Sequence, residues 1–217
     1  MVDPSMTLRQ NDPSRPLHDK APKVTVGMPV FNGADTIEKA IAAVLAQTFA
    51  DLELVISDNA STDGTLKLCQ AAASKDDRVR IVQQQRNIGA VPNFAAVLSA
   101  ARAPYFMFAA ADDHIEPNFI KECLAALEAA PDAVSCAPRT LIHFADGVTR
   151  EPWGCKPIGG GAWLRPALFL LRPADNSRFY GLHRTEAMRL AYLDEPPFTA
   201  FDWAVSALTL AQGSHVQ

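Results

Sequence analysis

Apolar and polar positions along this chain follow two periods in turn. Lys23–Val30 (KVTVGMPV), Leu52–Ser57 (LELVIS), Arg78–Gln83 and Tyr105–Ala110 are short β-branched or aromatic runs bounded by turn residues, the pattern of buried strands. Between them apolar residues recur at helical spacing. Ile41, Val44 and Leu45 mark a first helix, Leu66–Ala73 a second and Asn93–Ala101 a third. After Pro117, the positions Phe119, Ile120, Cys123, Leu124 and Leu127 mark a fourth, running to Ala130. Asp35, with Glu38 three residues on, predicts the N-cap of the first helix. Strand and helix in strict alternation predict an α/β fold: a mostly parallel central sheet with helices on both faces. Right-handed crossovers then bring Pro29–Asn32, Asp58 and Asp112–Asp113 to one edge of that sheet.

The pattern changes at both ends. Residues 1–22 are Pro-rich and polar with no periodicity, and are expected to be a disordered tail. Beyond residue 130 the segments are shorter. Ala133–Ala137 predicts a strand, and Arg139–Phe144 and Val148–Glu151 flank Ala145-Asp146-Gly147 as a hairpin. Pro152–Gly161 predicts a loop, Trp163–Arg172 a helix, Phe179–His183 a strand, Thr185–Tyr192 a helix, and Phe201–Leu210 a final helix. The expected organisation is a tail (1–22), an α/β half (23–130) and a small α+β region (131–217). A further strand would be natural after the last helix, so a C-terminally truncated copy of something longer is expected.

Composition narrows the function classes. The 217 residues suffice for one sizeable core, and 48% hydrophobic with 20% charged is ordinary for a globular chain. A net charge of -4 gives no global basic field to recruit nucleic acid. Cys69, Cys123, Cys136 and Cys155 form no CxxC pair, which argues against zinc and for reduced thiols, hence a cytoplasmic setting. No signal peptide or membrane-spanning run occurs, while peripheral contact with a membrane stays open. The chain contains no GxxxxGK[ST], which excludes a P-loop nucleotidase. Pro29-Val30-Phe31-Asn32-Gly33 is a poor phosphate loop for a nucleotidyltransferase.

The candidate chemistry starts at Tyr105–His114, where an apolar strand runs straight into Asp112-Asp113-His114. Carboxylates at the exit of a buried strand are costly unless paired, and open α/β sheets bind ligands at that edge. From the residues alone two roles stay open for the pair: a ligand or metal site, or a solvated turn before a helix.

Here VTVGMPVFNG, AVLAQTFADLELVISDNASTDGT and NIGAVPNFAAVLSAARAPYFMFAAADD, with RFYGLHRTEAMRLA and FDW further on, stand in the order and spacing of a known family. Over residues 24–136 the chain resembles the family 2 glycosyltransferases of the GT-A fold. The resemblance implies an inverting transfer of a sugar from a nucleotide-diphosphate donor, a UDP-sugar foremost, to a saccharide or lipid-linked acceptor. It assigns Pro29 and Phe31 to the base, with Phe31 as a stacking face, and Asp58 to a base N–H. It implies Asp112 for the ribose and Asp113 for a metal, Mg²⁺ or Mn²⁺, since carboxylate and diphosphate oxygens suit hard ions. Asn32 and Asn87 are carried as nucleotide-sugar contacts with a turn role open for each. Asp202 takes the place of the catalytic base, with Phe201 where the family often has Glu and with helix N-capping as the alternative. Ser61–Thr65 reads as turn and cap chemistry, and His114 as a solvated group. The competing reading is a non-catalytic nucleotide-sugar-binding module.

Overall fold

β-Branched and aromatic runs build the sheet because their side chains fill both of its faces. The computed structural model describes residues 7–8, 21–137, 139–143, 147–150, 156–171, 176–193 and 200–217, and the chain divides into two compact units, Met1–Pro117 and Asn118–Gln217.

In the first unit the strands are β1 (Thr7–Leu8), β2 (Val24–Val30), β3 (Leu52–Asp58), β4 (Val79–Gln83) and β5 (Tyr105–Phe108). Their spatial order is β1-β4-β3-β2-β5, with β4, β3, β2 and β5 mutually parallel and β1 antiparallel to β4. The crossovers are the helices α1 (Ile37–Leu45), α2 (Thr65–Lys75) and α3 (Ala90–Ser99). Every residue of β2 and β3 is buried, as in a sheet covered on both faces. Gly27 permits the close approach of α3: a Cβ there would lie 2.8 Å from both Val97 Cγ2 and Phe106 Cζ. Phe106 and Phe108 then meet edge to face at 4.7 Å.

At the start of the strands Glu53 is buried, and its carboxylate accepts from Thr25 Oγ1 (2.8 Å), Arg80 Nη1 (2.9 Å) and Arg102 Nη2 (2.6 Å). Burial alone would raise this carboxyl, but the bonds from Arg102, Thr25 and Arg80 hold it below the ordinary range. This cluster ties the end of the sheet remote from the strand exits.

Three local expectations differ in this unit. Asp35 does not cap α1; the N-cap is Thr36, and main-chain bonds from Thr36 and Ile37 to Gly33 O close the turn. The fourth strand ends at Phe108, two residues early. Thr7–Leu8 adds a strand to β4 inside the segment expected as a tail, whose residues 1–6 and 9–20 lie outside the described ones.

The second unit holds α4 (Phe119–Ala129), β6 (Ala133–Cys136), the antiparallel pair β7 (Ile142–His143) and β8 (Thr149–Arg150), α5 (Leu164–Leu171), β9 (Leu182–Arg184), α6 (Thr185–Ala191), α7 (Phe201–Gln212) and β10 (Ser214–Val216). β6 pairs antiparallel with β9 and parallel with β10. α4 packs on β6 and β9 and so groups with this unit, ahead of the expected boundary at residue 131. The expected strand at Phe179–His183 is a 3₁₀ turn, Ser177–Tyr180, followed by β9. Gly181 separates the two because a Cβ there would collide with the Cys136 carbonyl. The strand sought after the last helix is present as β10. Residues 144–146 of the expected hairpin turn and 151–155 of the expected loop lie outside the described residues.

His183, Arg178 and His215 are buried together, with Arg178 Nη1 3.2 Å from His215 Nδ1. A guanidinium only donates, so His215 Nδ1 accepts and its proton sits on Nε2. Cys69, Cys123 and Cys136 are buried free thiols. Among the described residues no helix is long and apolar enough to cross a membrane.

Candidate functional site

The strand exits of the first unit assemble most of the singled-out residues. β3, β2 and β5 are adjacent and parallel, with Val30 in register with Asp58 and Gly27 with Phe108. Pro29 is tolerated mid-sheet for a geometric reason. It faces the same side as Gly27, toward β5, and β5 has already ended there, so its missing N–H leaves no gap in the ladder. Phe31, the first residue past β2, is 46% exposed and presents an aromatic face to solvent instead of filling the core. The turn it begins passes close to the exit of β5: a Cβ on Gly33 would touch Ala111 Cβ at 3.9 Å.

Asp58 is the last residue of β3 and is 1% exposed. Its Oδ2 accepts from Ser61 N at 3.2 Å, while Oδ1 is buried with no hydrogen-bond partner. An orphaned carboxylate oxygen is costly unless a donor arrives from outside the chain. Burial first, and then the charge of Asp58, push the nearby Cys69 thiol up to about 12, so that thiol is no nucleophile.

The loop after Asp58 is sewn to the Phe31 turn. Asn32 stands in the left-handed region at φ 52°, and Ala60 likewise at 58°. Asn32 N donates to Ser61 Oγ (2.9 Å), and Asn32 Oδ1 accepts from Thr62 N (2.9 Å). Gly33 N donates to Thr65 Oγ1 (2.8 Å) and Ala34 N to Asp63 Oδ2 (3.1 Å). Asp63 also accepts from the Thr65 hydroxyl and N–H, which hold its carboxyl below the ordinary range. The cluster Ser61–Thr65 is thus turn chemistry, while the N-cap of α2 is Gly64 with no side-chain cap bond, and the oxygen of Asn32 is committed to the turn.

Asn87 is committed in a similar way. Its Oδ1 accepts from Gly89 N (2.9 Å) and from Asn59 Nδ2 (3.0 Å). Asn59, which sequence reasoning passed over as loop, is 3% exposed and also receives Ile88 N on its Oδ1 at 2.9 Å. It pins the loop before α3 to the end of β3. Below it, Ser57 Oγ, Asn93 and Gln84 form a buried network, with Ser57 Oγ donating to Asn93 Oδ1 at 2.7 Å and accepting from Gln84 Nε2 at 3.1 Å.

Asp112 and Asp113 leave the exit of β5 side by side, and both are exposed. Partial loss of hydration, then the charge of Asp112, raises the Asp113 carboxyl. No described Lys, Arg or His forms an ion pair with either carboxylate; His114 Nε2 lies 3.6 Å from Glu116 Oε1 instead. Among the described residues no three His, Cys, Asp or Glu gather as a metal cage. Two adjacent hard oxygen donors without a counter-cation fit an ion that takes its other ligands from water and a diphosphate, as Mg²⁺ and Mn²⁺ do.

Asp202 belongs to the second unit, in the first turn of α7. It is not an N-cap: Ala200 holds that position, and no side chain caps the helix. Its Oδ2 accepts from Asn176 Nδ2 at 3.0 Å. The aromatic residues on either side anchor this turn. Phe201 meets Phe179 edge to face at 5.7 Å, and Trp203 stacks on Phe169 at 5.0 Å.

Residues 25–193 match the family model described as glycosyl transferase family 2. The succinoglycan biosynthesis protein ExoO of Rhizobium meliloti (strain 1021) is 34% identical over 139 residues, which cover 60% of this chain and 39% of that protein. The chain thus spans about two fifths of that relative's length. Two solved structures share the fold. S. aureus TarS 1-349 in complex with UDP-GlcNAc superposes with a TM-score of 0.70 at 20% identity, over 89% of this chain and 56% of that one. The mannosyltransferase PcManGT of Pyrobaculum calidifontis, in complex with GDP-Man and Mn²⁺, gives 0.64 at 19% identity, over 92% and 55%.

Proposed function

The chain belongs to glycosyl transferase family 2, with the GT-A fold, and from that premise we propose that it transfers a sugar from a nucleotide-diphosphate donor to an acceptor hydroxyl with inversion at the anomeric carbon. The observation that carries the proposal is the buried, unpartnered Oδ1 of Asp58 at the edge where Phe31 offers its ring. Phe31 stacks on the base, and Asp58 accepts its N–H, as the imide of uracil would supply. Asn32 and Asn87 serve by holding the two loops beside the base, and Asp112 takes a ribose hydroxyl.

Asp113, with Asp112 beside it, would hold Mg²⁺ or Mn²⁺ together with the donor diphosphate. When bound, that ion offsets the negative charge of the leaving group. Asp202 takes the proton of the acceptor hydroxyl. The acceptor oxygen bonds to the anomeric carbon from the opposite face as the bond to the diphosphate breaks, its electron pair leaving with the diphosphate. The relation to ExoO supports a growing saccharide, free or lipid-linked, as the acceptor. A cytoplasmic site of action, with contact at the inner face of the membrane, accords with such an acceptor.

Calorimetry of UDP binding with and without Mn²⁺ tests the donor site. The parent chain should bind UDP more tightly with Mn²⁺, and Asp113→Ala should lose that increment; an unchanged increment in the variant overturns the metal assignment. Release of UDP or GDP from a panel of UDP- and GDP-sugars tests the chemistry. Binding with no release by the parent chain leaves a nucleotide-sugar-binding module in place of a transferase.

A further inference from the structure

Asn176 stands directly before the 3₁₀ turn Ser177–Tyr180. An Asn at such a boundary ordinarily folds its side chain back to cap its own turn. It does not do so here: no side-chain cap bond is made, and the amide reaches across to α7. Nδ2 donates to Asp202 Oδ2 at 3.0 Å, and Oδ1 accepts from Ser206 Oγ at 2.8 Å. Asp202 and Ser206 are one helical turn apart on α7, so both lie on the face toward Asn176. Ser206 is 1% exposed, which keeps water from competing for its hydroxyl.

The chemistry of the three groups leaves one arrangement. An ionised carboxylate only accepts, so the NH₂ end of the amide must face Asp202. The reversed amide would set two acceptor oxygens against each other, whereas the Ser206 hydroxyl can donate or accept and suits either end. The carboxylate therefore orients the amide, Ser206 Oγ holds its far end, and the amide in turn holds the carboxylate. Among the described residues Asp202 Oδ1 has no hydrogen-bond partner, so one oxygen is held and the other is left for an incoming proton.

We propose that Asn176 is a positioning residue for Asp202: it fixes the rotamer of the carboxylate and reserves Oδ1 for the acceptor, with Ser206 holding the far end of the amide in place. This rests on the reading of Asp202 as the base. The bond is between a neutral donor and a charged acceptor, a class whose loss lowers kcat by roughly tenfold to a hundredfold if it acts in the transition state.

The test is a double-mutant cycle on nucleoside-diphosphate release, in the presence of Mn²⁺, from whichever UDP- or GDP-sugar of the panel the parent chain turns over fastest. Asn176→Ala should lower kcat with donor KM and UDP affinity unchanged. Asn176→Asp keeps the shape but sets a second carboxylate against Asp202, and should lose more. Ser206→Ala should lose a few-fold, and it remains informative if Asn176→Ala fails to fold. The deciding measurement is Asn176→Ala in an Asp202→Asn background, where no further loss of kcat is expected. A full additional loss there means that Asn176 acts independently of Asp202 and overturns the inference alone. Parental turnover in Asp202→Asn, or no release of UDP or GDP by the parent chain, overturns the base assignment and the inference with it.

Discussion

Asp58→Asn sets stability against binding, and the two should move in opposite directions. In the native chain Oδ2 is satisfied by Ser61 N, and Oδ1 is buried without a partner. Asn keeps an oxygen for Ser61 and places NH₂ where Oδ1 stood. This removes a buried charge, while an NH₂ without an acceptor replaces an oxygen without a donor; loss of the charge sets the sign, at roughly 1–3 kcal/mol in favour of the folded state. For a chain of this size that corresponds to a rise of about 2–12 °C in Tm. Against the base the effect reverses. An N–H that met a charged acceptor now meets another donor, and the lost charge-assisted bond alone is about 1.5–3 kcal/mol, or roughly 10- to 150-fold in Kd. Thermal unfolding without ligand and calorimetry with UDP and Mn²⁺ read the two effects separately. UDP affinity within twofold of the parent would remove Asp58 from base recognition. A fall in both quantities would mean that the carboxylate is a structural group after all.

Two further outcomes follow from the packing. Burial pushes His183 down to about 4, and burial with the charges of His183, Arg178 and Arg165 lowers His215 as well. A depressed imidazole makes the unfolded chain bind more protons at mildly acid pH. Its contribution is therefore complete above the unfolded value of about 6.5 and drains away as pH falls toward about 4, at up to about 1.4 kcal/mol per pH unit for each histidine. Tm should fall steadily from pH 7 to pH 5, and His183→Phe should flatten that slope; an equal slope in the variant refutes the assignment. Gly27→Ala should destabilise by about 1–3 kcal/mol through overpacking against Val97 and Phe106, read as a lower urea midpoint with unchanged m; an unchanged midpoint would mean that α3 yields freely.

The first half of the chain is legible because its signals are local. A run such as Leu52–Ser57 names its own strand, and parallel strands joined by helices share an exit edge, so Phe31, Asp58, Asp112 and Asp113 can be placed together before any coordinate exists. What is illegible depends on partners distant in sequence. Asn176 carries no mark of its attachment to Asp202 and Ser206, which lie 26 and 30 residues away. Asn59 looks like any turn Asn until the loop at Asn87–Gly89 is folded beside it. Asp35 has the composition of a cap, but the Gly33 carbonyl already closes the turn. Thr7–Leu8 becomes a strand only because β4 offers it an edge.

The stitching of the Phe31 turn to the Ser61–Thr65 loop has a consequence for the timing of order. Asn32, Gly33, Ala34 and Thr62 all have their main-chain N–H groups bonded to side chains across that seam. These amides should exchange slowly with solvent deuterium in the unliganded chain, and binding of a nucleotide should slow them little further. A floppy loop would instead surrender roughly 0.5–1.5 kcal/mol for each side chain stilled on binding. Here that ordering is completed when the chain folds. The base end would then be a rigid socket that selects by shape from the first encounter.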